Sequence, residues 1–336
     1  MGPMRATGVA FIVAAALAVP RARASSGPSQ AILDFAREHA PPERYGGWRE
    51  MESPHFRVYY RTAFAPSGFV LDLEKIHSLL RLDLARFAPW MVKERIVLYL
   101  YPDRKSYLVG GLAPPGWSNG IAYYDKKLVA VHDIPDRSKL LAVITHETTH
   151  LLFESYWEGT GRRPPPWLDE GVAMNEESLG LGGPEQSEWY EDLKLISQSR
   201  LMPLSKFFAV NPAADLADQE AAGYWYLESF SIAYFLLHEH PRLQFQSFCA
   251  GLKAGHPLTQ VLWDAYRYRD IEAFQKAWRG WFRLKFSAAP VRLRTASPRA
   301  ETEDSSSKTG GRRESFKGLE FQNFGFHGLR GDSDGE

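Results

Sequence analysis

His146, Glu147 and His150 stand in the order His-Glu-Thr-Thr-His, and Glu170 follows twenty positions after His150. Residues four apart on an α-helix lie one above the other on the same face. His146 and His150 can therefore turn ring nitrogens toward one metal ion. Glu147 falls about 100° around the helix from His146 and nearly one turn before His150. Its carboxylate then lies beside the metal without being a ligand. Zinc lowers the pKa of bound water to about 7, so a carboxylate is a sufficient base for that proton. A zinc site of this kind needs a third protein ligand and a fourth position open to water. Glu170, within Trp167-Leu168-Asp169-Glu170-Gly171-Val172-Ala173, supplies the carboxylate. The bland alternative is a pair of packing or surface histidines, since His-Glu-x-x-His arises by chance in roughly one chain in a hundred of this length. The second motif argues against it.

The first motif must sit on a helix for this to work. Leu140, Leu141, Ile144, Leu151 and Leu152 recur at spacings near 3, 4 and 7, the helical period. Asp136 after Pro135 is suited to cap its N-terminus, and no glycine or proline interrupts the run until Gly159. Pro164-Pro165-Pro166 makes a stiff entry into the Glu170 helix, because proline fixes φ and disfavours helix before it.

Upstream, a strand is expected near His55 to Tyr60, a helix over about Val70 to Phe87 and a buried strand from Arg95 to Tyr101. Asn119-Gly120 signals a turn. Two short strands follow, Ile121 to Tyr124 and Leu128 to His132, joined through Asp125-Lys126-Lys127. Downstream, Gln186 to Gln198, Ala221 to Glu239, Arg242 to Lys253 and Ile271 to Leu284 carry helical spacing.

His-Glu-Thr-Thr-His with Trp-Leu-Asp-Glu-Gly-Val-Ala resembles the gluzincin metallopeptidases, and more narrowly the peptidase-MA-like proteins of bacterial envelopes. The resemblance covers about Trp48 to Phe286. It includes Ser53-Pro54-His55-Phe56-Arg57-Val58-Tyr59-Tyr60 and the stretch from Tyr226 to Leu236. It implies one zinc ion per chain held by His146, His150 and Glu170, with Glu147 as general base. It also implies a zincin-like α+β fold, in which a small mixed sheet lays an edge strand over the active-site helix and a mainly helical subdomain follows. The implied reaction is attack of zinc-bound water on a peptide carbonyl, with peptides or proteins as substrates. An oxyanion donor is expected on a later helix, where Tyr226 is the candidate and Tyr224 the runner-up; packing aromatics are the alternative for both. Leu128 to Val131 would be the edge that pairs with substrate, an interior strand being the alternative. One departure stands out. The family often carries an acidic and an aromatic residue directly after its Glu-Gly-x-Ala, where this chain has Met174-Asn175.

Other histidines carry less. His238-Glu239-His240 precedes Pro241 and suits a solvated helix end. His132 ends a strand, and His55, His77 and His256 show no spacing signal. Two further classes remain open on sequence: an envelope binding module that keeps the fold without turnover, and a structural zinc site, disfavoured because such sites are usually closed by four ligands, often cysteines.

The chain has 336 residues, 44% hydrophobic and 24% charged, with formal net charge zero. That is the composition of a globular protein of one or two domains, and without a basic stripe it offers nothing to nucleic acid. Arg5, the apolar run Gly8 to Val19 and Ala22-Arg23-Ala24 read as a leader for export, with residues 1–24 removed and the periplasm or the outside of a bacterium as destination. No stable membrane insertion is then expected. Cys249 is the single cysteine, so no intrachain disulfide can form. Residues 25–45 read as a linker or leading helix and 46–286 as the catalytic domain. Residues 287–336, sparse in large apolar residues apart from Phe321, Phe324 and Phe326, read as a disordered tail. Oligomeric state is not legible.

Overall fold

The computed structural model describes residues 47–286, apart from 62–65, 113, 115, 117, 217 and 218. The leader, the 25–45 segment and the 287–336 tail lie outside the described residues. The fold is α+β. Strands β1 (Arg49–Glu52), β2 (Phe56–Tyr60), β3 (Ile96–Tyr101), β4 (Gly120–Tyr123) and β5 (Leu128–His132) form one mixed sheet in the order β1-β2-β3-β5-β4. β2, β3 and β5 run parallel, and β1 and β4 lie antiparallel on the two edges.

Alternation along the strands sorts residues to two faces. Phe56, Val58, Ile96, Leu98, Leu100, Val129 and Val131 enter the main core. Tyr59, Tyr99, Tyr101, Tyr123 and Ala130 enter a second, tyrosine-rich cluster on the other face, under Trp48 and Tyr107. Helix α1 (Pro66–Leu84) lays Phe69, Leu73, Ile76, Leu80 and Leu84 into the main core at helical spacing. It starts before the expected Val70. The short helix α2 (Arg104–Val109), capped by the Asp103 carboxylate at Ser106 N, was not signalled by periodicity.

Helix α3 (Arg137–Ser155) carries the first motif. Asp136 caps it, its carboxylate accepting from the backbone of Ser138 and Lys139. From Val143 to Glu154 every residue is buried, because the sheet covers one side and helical elements the other. Its threonines satisfy themselves inside the helix: Thr145 Oγ1 donates to Leu141 O and Thr149 Oγ1 to Thr145 O.

Helix α4 (Pro166–Glu176) begins where the three prolines end and is buried almost throughout. It packs on a later helix, Gln219–His238. A β-carbon at Gly171 would collide with the carbonyl oxygen of Ser229 and with Ala233 on that helix, so the glycine of Trp-Leu-Asp-Glu-Gly is a backbone contact point. Asn175 Nδ2 donates both to Gly171 O and across to Phe230 O. The remaining helices are α5 (Glu188–Leu193), α6 (Leu204–Phe207), α7 (Pro212–Asp215), α8 (Gln219–His238), α9 (Arg242–Ala254), α10 (Leu258–Tyr266) and α11 (Ile271–Phe286). The helix expected over Gln186 to Gln198 is only the six residues of α5. At the end of α8, His240 bonds Phe235 O and Tyr268 Oη, closing the helix C-terminus. Among the described residues no helix is long and apolar enough to cross a membrane.

One expectation is corrected. Leu128 to Val131 is not an edge: β5 is hydrogen-bonded to β3 on one side and β4 on the other. The short link Tyr124 to Lys127 turns the chain back on itself, with Lys127 in the left-handed region at φ 50°, so the preceding strand seals β5. The edge beside the active-site helix is β4.

Candidate metal centre

Three atoms converge in the buried space between α3 and α4. His146 Nε2 and His150 Nε2 lie 3.1 Å apart, and Glu170 Oε2 lies 3.7 and 3.8 Å from them. The longer distances exceed a hydrogen bond, and Glu170 Oε2 has no hydrogen-bond partner. A point equidistant from the three atoms lies about 2.1 Å from each, the length of a zinc–nitrogen or zinc–oxygen bond.

The far nitrogens explain why the near ones are bare. His146 Nδ1 is 2.7 Å from Glu177 Oε2, and His150 Nδ1 is 3.0 Å from Asp169 Oδ2. Glu177 accepts from His146 Nδ1 and leaves that ring's Nε2 lone pair pointing inward, whereas Asp169 stands at ion-pair distance from His150 Nδ1 without hydrogen-bond geometry. Two imidazole nitrogens facing each other at 3.1 Å need either a shared proton or a cation between them. A buried carboxylate oxygen without a donor has the same need. The residues present thus fit a divalent cation with imidazole and carboxylate ligands, and zinc matches that donor set. A carboxylate behind each ligating histidine is also how metal sites orient their imidazoles.

Charge in the pocket is lopsided. Burial, reinforced by His150, holds His146 down at about 4. Burial also opposes charge on His150, but Asp169, Glu170 and Glu147 outweigh it and lift His150 to about 10. Burial pushes Glu147 up to about 8, with Glu170 and Asp169 adding to the effect against His150. Burial likewise raises Glu177 to about 8 and Glu154 to about 9. The pocket therefore crowds more carboxyl groups together than it can keep ionised, and a divalent ion bound there would favour their charged forms, Glu147 included.

Glu147 lies against the sheet edge. A β-carbon on Gly120, the first residue of β4, would stand 2.6 Å from Glu147 Cγ. Only glycine leaves room there, so the catalytic candidate sits directly against the edge strand. The loop entering β4 is held by side chains. Arg104 donates to the carbonyls of Gly116 and Ser118 and to Asn119 Oδ1. Tyr107 Oη pairs with Ser118 Oγ at 2.7 Å, and Tyr123 Oη donates to Leu112 O at 2.7 Å. His132 Nε2 reaches Asn119 Oδ1 at 3.2 Å, so it braces this rim.

Helix periodicity and two motifs thus brought His146, Glu147, His150 and Glu170 together. Asp169 and Glu177 were missed as site residues. Asp169 could have been found, because it adjoins the third ligand. Glu177 could not, because its role depends on Trp189 of α5, whose Nε1 donates to Glu177 Oε1 at 2.6 Å and aims the carboxylate. Met174 is a core residue and Asn175 a helix tie. The departure after Glu-Gly-x-Ala therefore leaves the histidine's carboxylate partner to Glu177, two turns after Glu170. Tyr226 is buried on α8 with its ring edge-on to Trp225 at 5.1 Å. Tyr224 is buried beneath the Arg200 guanidinium, 5.7 Å from its ring centre.

The peptidase MA superfamily matches residues 78–284, more than half of the chain. The chain belongs to the peptidase MA superfamily. The matched span runs from within α1 into α11 and includes both sequence motifs, Glu177 and Trp189. No curated protein matches the chain.

Proposed function

We propose that this superfamily member is a zinc-dependent peptidase, with His146, His150 and Glu170 as ligands and Glu147 as general base. The observation that supports it most directly is the triangle of converging ligand atoms beside Glu147, whose Oε2 is unpartnered and whose side chain lies against a strand edge. When bound, zinc supplies a Lewis acid that polarises a carbonyl and acidifies water. The protein residues do the rest. β4 offers free backbone groups on its outer edge, among the described residues, and an extended peptide adds there as a further strand. Glu147, beside Gly120, takes a proton from water and passes it to the leaving amine. Glu177 holds His146 in the ligating tautomer, and Asp169 stands behind His150 at 3.0 Å.

Tyr226 is proposed as the donor to the oxyanion. Tyr226→Phe is then expected to lower kcat about 10²- to 10³-fold with little change in KM; equal kcat in the variant would return Tyr226 to the packing cluster. Export through residues 1–24 to the periplasm or the outside is part of the same proposal, motivated by the leader pattern. Finding intact residues 1–24 on protein recovered from the cytoplasm would refute it.

The reading is tested by metal content and cleavage together. Residues 25–336 are expected to hold about one zinc at the Glu170 site, to lose it in His150→Ala and to cleave a mixed peptide library only when loaded. Zinc held equally by His150→Ala would sink the assignment. Zinc bound with no cleavage of any peptide would favour the alternative, a peptidase-fold binding module.

A further inference from the structure

A second group of ligating side chains lies outside the centre described above. Glu74 and His77 are three apart on α1 and so share a face. His55 comes to them from the turn that enters β2. One ligand atom from each of the three residues falls within 4.8 Å of the others.

The arrangement around these residues is built rather than loose. His77 is only 1% exposed, and its Nε2 is 2.9 Å from the carbonyl oxygen of Met91. That carbonyl accepts only from N–H, so Nε2 carries the proton and Nδ1 keeps a lone pair. Ligating histidines characteristically give their other ring N–H to a backbone carbonyl in this way. Glu74 is fixed from two directions: His55 N donates to Oε1 at 3.0 Å, and His55 Nδ1 lies 2.7 Å from Oε2. The imidazoles of His55 and His77 stack 3.8 Å apart, 11° from parallel. A His55–Glu74 ion pair alone requires no second imidazole beneath it. Burial keeps His77 in the neutral form, the form that binds metal.

We propose that His55, Glu74 and His77 form a second divalent-cation site, of a class suited to zinc. The donor set of two imidazoles and one carboxylate is the same as at the first centre. Ligand atoms around tetrahedral zinc stand roughly 3.3–3.5 Å apart, given bonds of 2.0–2.2 Å. The His55 ring must therefore turn out of its stack on His77 on binding and exchange its contact with Glu74 Oε2 for the cation; its side chain, 25% exposed, has room on the solvent side. The site joins three pieces of chain, namely the turn before β2, helix α1 and the Pro89–Val92 turn that offers the Met91 carbonyl. A chain with one cysteine cannot staple these pieces by a disulfide, and a cation bound to the folded state alone would stabilise them instead. The proposal does not depend on the peptidase reading.

The test uses the full chain, stripped with a chelator and titrated with zinc by calorimetry. His55→Asn keeps a donor toward Glu74 while removing the imidazole, and Glu74→Gln removes the charge. Wild type is expected to bind two equivalents. His55→Asn, Glu74→Gln and His150→Ala should each bind one. Zinc should raise the unfolding temperature of His150→Ala by several degrees and leave that of the His55→Asn/His150→Ala double variant unmoved. A single equivalent in wild type that only His150→Ala abolishes would overturn the second site. So would two equivalents unchanged in both His55→Asn and Glu74→Gln. A wild-type equivalent lost in His55→Asn but indifferent to His150→Ala would instead support this site and contradict the first centre.

Discussion

Glu147→Gln is expected to lower peptide cleavage about 10²- to 10⁴-fold, the usual contribution of a general base, and to leave zinc content unchanged. Glutamine keeps the size of glutamate and its place against Gly120, but its amide accepts no proton. Glu147 is not one of the converging ligand atoms, so the metal should not feel the loss. Glu147 is nonetheless buried with Oε2 unpartnered, and an amide there never carries the charge that burial opposes. The folded protein should therefore be at least as stable as wild type. Cleavage rate, elemental zinc and a thermal melt decide this together. Zinc lost in the variant would make Glu147 a ligand, and full activity would remove it from the chemistry.

Glu177→Ala is expected to weaken zinc binding about 10- to 100-fold, the effect typical of removing the carboxylate behind a ligating histidine. Without Glu177, nothing holds His146 Nδ1 as the protonated nitrogen, and the imidazole is free to turn Nε2–H toward the metal position. Trp189 Nε1 loses its acceptor as well, so part of the effect is a displaced α5. Glu177→Gln separates the two. Its amide oxygen can still accept from either Trp189 Nε1 or His146 Nδ1, though not with a carboxylate's strength, and a smaller loss is expected. Competition with a chromogenic chelator reads both variants. Unchanged zinc affinity in Glu177→Ala would show that Asp169 and packing alone orient the histidines.

Much of this centre was legible before any coordinates. Local rules wrote it: the i, i+4 face of α3, the Asp136 cap, the three prolines that start α4 and the alternation of β2, β3 and β5. Each acts within a turn or a few residues, so each leaves a mark in the local sequence. The α+β class came from the resemblance that the motifs carry. Where local signals were weak, the reading drifted. Gln186 to Gln198 has helical spacing but only six residues fold as helix, because tertiary packing of Trp189 and Leu193, not periodicity, holds α5. The regular helix α10 was overlooked altogether.

Other features were set only by the packed fold. Which strand forms the edge depended on whether β4 pairs outside or inside β5, and alternation is the same in either case. Glu177, Trp189, Gly120 and the His55–Glu74–His77 group each act on residues brought near by folding, from 12 to 31 positions away. Sequence by itself brought out His146, His150 and Glu170 as candidate ligands and Glu147 as candidate base, because helix geometry ties residue spacing to direction. The tertiary structure decided which carboxylates stand behind those ligands, where a substrate strand has room, and that a second pair of histidines meets, because those depend on how separate elements pack.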